Sequence, residues 1–155
     1  MKQGLLWLLL LVCLPGMAGE RRVYLLATVA LNGSNLAQSV FLHEPEITDL
    51  QGCEEAVKQG QRDRDWLKYH HILRRDKMQG YTAQARYRCV FAEQDIEGWS
   101  DRQHYDHTYL IGVDEQSRLS LSKQTNQALC AAHLRTLSAA QQAQSFCARS
   151  NQQVR

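Results

Sequence analysis

The sequence lacks a long apolar run and a strong charge of either sign. Its longest uninterrupted apolar stretch, Gly4 to Leu14, has 11 residues, whereas a membrane-spanning helix needs about 20. The formal net charge is only +2, while nucleic-acid-binding proteins usually carry a strongly basic face. We therefore predict no transmembrane segment in the mature chain and no nucleic-acid partner.

The short motifs of common enzymes and metal sites are also missing. The sequence has no GxSxG motif, which places a nucleophilic serine, and no HExxH motif, which couples two zinc ligands to a general base. Its five cysteines include no CxxC pair, so neither a thioredoxin-type redox site nor a zinc knuckle is indicated. These absences favour a non-catalytic protein without a cofactor.

Residues 1–18 are typical of a secretory signal peptide. A positively charged start precedes the apolar stretch, and the small residues Gly16 and Ala18 stand where signal peptidase requires them. Cleavage after Ala18 leaves 17 basic and 16 acidic residues, a net charge of +1. Cleavage after Gly19, lipidation at Cys13 and an uncleaved anchor are the alternatives. We predict export to the periplasm or the extracellular space.

Several segments have the residue pattern of β-strands. Val23 to Leu31 is apolar on both faces, which favours a buried central strand over a helix. The Asn32-Gly33 dipeptide predicts a hairpin, with a return strand from Ala37 to His43. Two later strands are predicted in the segments "TYLIGV" and "LSLSK".

The segment from Tyr81 to Phe91 alternates apolar and polar residues as far as Cys89. This period of two is typical of a strand with one solvated face. Cys89 falls on the apolar side, whereas Arg86 and Arg88 fall on the polar side. We therefore expect the two arginines to face solvent.

Helical patterns are found in the middle and near the end of the chain. Asp49 to Gln59 places Leu50, Cys53 and Val57 on one helical face, after a Thr48-x-x-Gln51 capping-box pattern. A second helix is predicted from about Thr125. Residues 63–76 fit a helix or a strand about equally well, with a slight preference for the helix.

Together these elements predict an α+β fold. Strands followed by helices suggest a single small domain whose mostly antiparallel sheet, of about five strands, has two or three helices packed on one face. The predicted organisation is a cleaved signal peptide (1–18), a disulfide-linked α+β domain (19–137) and a Gln-, Ala- and Ser-rich C-terminal helix extension or tail (138–155).

Loss of the signal peptide leaves four cysteines, which suggests disulfides in an oxidising compartment. Cys53 lies on the apolar face of a predicted helix and Cys89 on the apolar face of a predicted strand, and both faces must meet the same core. Cys130 and Cys147 can bond only if the chain reverses near residues 138–144, since 17 residues of helix span about 25 Å. Otherwise Cys147 is free or intermolecular, and other pairings remain open.

A basic and aromatic cluster is the first candidate for a partner-binding surface. Its residue types are those that interface hot spots favour, although interleaved aspartates also fit a solvated, salt-bridged face. The candidate residues are Arg62, Trp66, Tyr69, Arg74 and Arg75.

A histidine and aspartate cluster is the second candidate. His104, Asp106 and His107 stand directly before the apolar run "TYLIGV". With His70 or His71 they would form a tetrahedral set of the kind that zinc accepts, or an acid–base site in a hydrolase. The simpler interpretation is a polar loop before a strand, unless His70 or His71 comes across to meet it.

A signal peptide followed by a helix cysteine and a later strand cysteine resembles the build of small exported α+β proteins of Gram-negative bacteria. Periplasmic lysozyme inhibitors and secretion-system immunity proteins share this build. No diagnostic inhibitor loop is present, so no family is assigned. We therefore expect a non-catalytic exported protein that binds an unidentified protein or envelope component. The alternative is a small metal-binding protein or hydrolase.

Overall fold

The computed structural model of the protein describes residues 21–63, 83–100 and 102–155. The predicted signal peptide and residues 64–82 lie outside these ranges. The described elements, in chain order, are β1 (Arg22–Leu31), β2 (Ala37–Leu42), α1 (Leu50–Asp63), β3 (Ala83–Ala92), β4 (His107–Val113), β5 (Leu119–Gln124), α2 (Gln127–Thr136), α3 (Ala139–Ala143) and β6 (Ser145–Ser150).

The six described strands form one sheet in the order β3-β1-β2-β6-β4-β5. Four neighbouring pairs are antiparallel, and β2 with β6 is parallel, with Gln38 opposite Arg149. The predicted single α+β domain is therefore confirmed. The sheet is mostly antiparallel, as predicted, but its one parallel pair makes it mixed, and the described residues form six strands where about five were predicted.

The sixth strand corrects the prediction for residues 138–155. In place of a helix extension or tail, these residues contain the short helix α3 and then β6, which lies between β2 and β4. Ala148 and Ser150 of β6 are fully buried. The segment "SFCARS" has few large apolar residues, and Ala148 is its only member among the buried residues of the described main core.

The sheet curls until its two edge strands touch. The Phe91 N–H donates to the Ser117 carbonyl over 2.8 Å, and Phe91 pairs with Arg118 in a parallel bridge. The Gln94 side chain bonds both backbone groups of Leu121, at 3.0 and 3.2 Å. The enclosed inner face forms the main core, whose buried residues are Tyr24, Leu26, Phe41, Val90, Ala92, Ile96, Tyr109, Ile111, Val113, Leu119, Leu121 and Ala148.

The helix α1 packs on the opposite, outer face of the sheet. Its Cys53 is bonded to Cys89 of β3, with the two Cα atoms 6.0 Å apart. Around this disulfide lies an apolar cluster that includes Val23, Leu25 and the predicted helix residues Leu50 and Val57. The predicted disulfide and the predicted apolar face of the helix are both confirmed.

The second disulfide joins Cys130 of α2 to Cys147 of β6, again with Cα atoms 6.0 Å apart. The chain reverses at Ser138, which begins α3 with a capping box shared with Gln141. This reversal near residues 138–144 is the condition under which Cys130 and Cys147 were expected to bond. The strand register places Cys147 on the same face as Cys89, so both disulfides attach a helix to that face.

Local differences concern the turns and the helix ends. The Asn32-Gly33 hairpin forms, and Gly33 has the positive φ of 74° that the turn requires. The side chain that caps α1 is Asp49 rather than Thr48, because its Oδ1 accepts the Gly52 N–H over 2.7 Å. The helix runs to Asp63, beyond the predicted end at Gln59.

The buried Tyr109 predicts how stability changes at alkaline pH. Its hydroxyl donates to the Gln152 carbonyl at 3.1 Å and accepts from the Val154 N–H. Burial raises the pKa of Tyr109. A phenol whose folded pKa lies above its unfolded value, about 10, stabilises the fold fully below that pH, and this contribution is lost as pH rises through the folded value.

We therefore expect the free energy of unfolding to fall from about pH 10 upward. Urea unfolding of the wild type and of Tyr109→Phe between pH 8 and 11.5 tests this, because the variant should lose less stability over that range. Tyr105, whose pKa is also raised by burial, contributes to the remaining decline. Identical alkaline profiles for the wild type and Tyr109→Phe would contradict the assignment.

Candidate functional site

The structure places the histidine and aspartate cluster at the start of β4. His104 is exposed, and Asp106 forms a long ion pair of 3.7 Å with Arg149. His107 is half-buried, with its ring centroid 6.4 Å from that of Tyr109. Within residues 21–63, 83–100 and 102–155, no three His, Cys, Asp or Glu side chains are grouped to hold a metal.

His70 and His71 lie outside the described residues. The alternative hypothesis, in which either histidine meets His104 or His107, therefore lies outside what the structure describes.

The loop that leads to β4 is anchored by aromatic packing on the outer face of the sheet. Trp99 and Tyr105 pack against Val40 and Leu42 in a cluster with Ala27 and Tyr87. The pKa of Tyr105 is raised by burial and lowered in part by its hydrogen bond with Trp99. These contacts give the polar lead-in to β4 a structural role.

The predicted basic and aromatic cluster is described only at Arg62. This residue is exposed in the last turn of α1. Trp66, Tyr69, Arg74 and Arg75 lie outside the described residues, so the proposed surface stays a prediction.

A second basic feature, the arginine cleft, is a cavity of about 600 Å³ lined by helix α2, by the inner side of β1 and β3 and by the start of β6. Its described lining includes three arginines: Arg86 and Arg88 from β3, and Arg135 from α2.

The two walls of the cleft follow from helix and strand periodicity. Gln127, Ala131, Leu134 and Arg135 recur at i, i+4, i+7 and i+8, which is one face of α2. On the other wall, Arg86 and Arg88 point to the same side of β3, opposite Thr28 and Leu26 of β1. The Cys130–Cys147 disulfide holds the helical wall against the sheet.

The charge among the described lining residues of the arginine cleft has a single sign. They include no aspartate, glutamate or histidine. The Arg88 guanidinium donates to the Asp114 carbonyl at 3.2 Å, and neither Arg86 nor Arg135 forms an ion pair with a described carboxylate. Arg86, Arg88 and Arg135 are all exposed to solvent.

The floor of the arginine cleft is mainly apolar, although the buried Thr28 also lines it. Leu26 and Val113 are buried there, and Phe146 and Leu134 are half-buried. Leu36 stands at the rim with 54% of its surface exposed, which makes it one of the two most exposed large apolar residues of the described chain.

One polar atom at the cleft is left without a described partner. The Gln127 Nε2 donates to the Asn35 carbonyl at 3.0 Å, whereas its Oε1 is buried and accepts no hydrogen bond from the described residues. Buried polar atoms are usually paired. The cleft therefore offers a buried acceptor as well as its three cations.

Two other cavities of the described chain differ in charge. One of about 290 Å³ lies between α1 and the sheet, and it is mainly apolar with Glu44 and Glu46 at its edge. One of about 660 Å³ lies along β4 and β5. There the charges are mixed, and Arg118 is paired with Asp114 at 2.6 Å.

The sequence does not predict the arginine cleft as a site. The residue alternation of β3 predicts that Arg86 and Arg88 lie on the same side of the strand. A strand with one solvated face has the same pattern, so the alternation alone does not indicate a binding site. Arg135 is brought to them only by the tertiary fold.

Within the parts of the chain that the structure describes, no helix combines the length and apolar character needed to cross a bilayer. The two disulfides are compatible with export to an oxidising compartment. Comparison of the chain with protein-family models, with curated proteins and with solved structures gave no match.

Proposed function

We propose that this protein is exported to the periplasm or the extracellular space and acts there without catalysis, by binding an anionic protein or envelope component. The observation that carries this proposal is the arginine cleft, where Arg86, Arg88 and Arg135 line a cavity with a mainly apolar floor and no carboxylate is among the described lining residues.

The chemistry of arginine supports an anionic ligand. A guanidinium stays charged at every physiological pH and presents a planar set of donors that matches carboxylate and phosphate oxygens. Three such cations around one cavity repel each other, and a bound anion relieves that repulsion. Hydrogen bonds between charged partners are also about twice as strong as those between neutral ones.

The lining of the cleft also supports a binding role rather than catalysis. General acid–base chemistry requires a positioned group such as histidine, aspartate or glutamate, and none is among the lining residues that the structure describes. The lining cysteine, Cys147, is bonded to Cys130 and so cannot act as a nucleophile. The cleft can hold and orient an anion with the groups it has.

The proposal predicts that an Arg86→Ala/Arg88→Ala variant binds anions at least about tenfold more weakly than the wild type, since each tenfold corresponds to about 1.4 kcal/mol. Binding is measured by isothermal titration with two probes. A glutamate decapeptide represents an acidic protein, and phosphatidylglycerol vesicles represent an anionic envelope surface. The wild type should bind at least one of them, and its affinity should fall as salt rises.

The control variant is Arg102→Ala/Arg155→Ala, which removes the same charge from two exposed arginines outside the cleft. It should bind as the wild type does. An equal loss in the control would show that net charge alone drives the binding. No binding of either probe by the wild type would overturn the proposal.

A further inference from the structure

We infer that the ligand of the arginine cleft is a single-chain anionic amphiphile, with one acyl or alkyl chain that ends in a phosphate or a carboxylate. This inference rests on the proposed function, and it names the ligand class for the same site.

The shape of the cleft favours a small ligand over a protein surface. Its volume of about 600 Å³ lies within the range of about 300–1,000 Å³ that is usual for small-molecule sites. A stable protein partner would instead cover about 800 Å² on this chain. A concave cavity between a helix and two strands is better filled by a chain than by a flat surface.

The layering of the cleft matches the two ends of an amphiphile. Leu26 and Val113 are buried at the bottom, whereas Arg86, Arg88 and Arg135 belong to exposed residues. A chain can therefore lie on the apolar floor while its anionic end remains among the guanidinium groups near water. A hydrophilic anion would leave the floor without contacts, and a neutral lipid would leave the cations unpaired.

The rim adds two further features. Leu36, with 54% of its surface exposed, extends the apolar floor to the mouth of the cleft. The Gln127 Oε1 is buried without a described donor, and a hydroxyl of a glycerol headgroup would supply one. Both features suit an amphiphile whose headgroup carries a hydroxyl near its anionic end.

The test is isothermal titration of the intact, oxidised protein with monomeric ligands below their micelle concentrations. The probes are myristate and myristoyl lysophosphatidylglycerol as anionic amphiphiles, with myristoyl lysophosphatidylcholine as a zwitterion with the same chain. Glycerol phosphate supplies a headgroup without a chain, and a glutamate decapeptide supplies an acidic peptide.

At least one of the two anionic amphiphiles should bind one per protein molecule, with a negative heat-capacity change that marks apolar burial. The zwitterion and glycerol phosphate should bind at least about tenfold more weakly, because each lacks one of the two features that the cleft recognises. Binding of myristate alone identifies a carboxylate ligand, and binding of the lysophospholipid alone identifies a phosphate ligand.

A variant at the rim links the binding to the cleft. Leu36→Asp places a carboxylate in the lining of the arginine cleft and should weaken binding of the anionic amphiphile at least about tenfold. Leu129→Asp is the matched control, because Leu129 is 52% exposed but does not line the cleft. Both positions are exposed, so both variants should keep the thermal midpoint of the wild type.

The outcomes separate the inference from the proposed function. Binding of the decapeptide without either anionic amphiphile would overturn the inference and leave the proposed function standing. Equal binding of the zwitterion would also overturn the inference. If neither the amphiphiles nor the decapeptide and anionic vesicles bind, both proposals fail.

Discussion

Replacement of Gln152 by alanine is expected to lower the free energy of unfolding by about 4 kcal/mol. The side chain is fully buried and makes three hydrogen bonds to backbone groups. Its Oε1 accepts the Phe41 N–H at 2.7 Å, and its Nε2 donates to the carbonyls of Phe41 and Glu97 at 2.8 and 2.7 Å. Each buried group left without a partner costs about 1–3 kcal/mol.

Two further variants make this prediction specific to the amide. Gln153→Ala, at an exposed neighbouring position, should change stability by less than about 0.5 kcal/mol. Gln152→Glu keeps the shape but replaces the donor to two carbonyls by a buried acceptor, and we expect it to destabilise about as strongly as alanine. Urea unfolding at pH 7 with intact disulfides measures all three, and a small loss for Gln152→Ala would contradict the assigned role.

Removal of the Cys53–Cys89 disulfide should cost about 4 kcal/mol, because its sequence separation of 36 residues gives this value in the chain-entropy model. This is a large part of the 5–15 kcal/mol that is usual for a domain. The variant to compare is Cys53→Ser/Cys89→Ser, since a single serine would leave a reactive thiol on the partner.

The second disulfide provides an internal comparison. Its separation is 17 residues, for which the same model gives about 3 kcal/mol. Cys130→Ser/Cys147→Ser should therefore destabilise slightly less than Cys53→Ser/Cys89→Ser in urea unfolding. The intact mass of the oxidised wild type should show that all four cysteines of the predicted mature chain are disulfide-bonded. Free thiols at Cys53 and Cys89 would contradict the first prediction.

Much of the fold could be predicted because its signals are local. The two apolar faces of β1, the Gly33 turn and the apolar stripe of α1 each depend on a few neighbouring residues. The Cys53–Cys89 pair follows from the same patterns, since the helix face and the strand face that carry these cysteines pack against each other. The second pair required only a chain reversal, which Ser138 provides.

The rest depends on contacts between distant parts of the chain. The strand β6 is recognisable only beside β2 and β4, and its polar composition is typical of an exposed tail. Gln152 shows why composition is misleading here. It is a polar residue that is fully buried, and its amide is hydrogen-bonded to the backbone of Phe41, 111 residues away in sequence. The arginine cleft likewise combines residues of a strand with Arg135 of a helix. The periodicity of neither element predicts that they lie close together.

The place of β6 also determines the order in which the chain can mature. It is the last strand in the chain, yet it joins the β3-β1-β2 half of the sheet to the β4-β5 half. In a chain that crosses a membrane from its amino-terminal end, the sheet cannot be completed until residue 150 has emerged. Cys53 and Cys89 can be oxidised earlier, whereas the Cys130–Cys147 bond, which attaches the helical wall of the arginine cleft, cannot form until residue 147 has emerged.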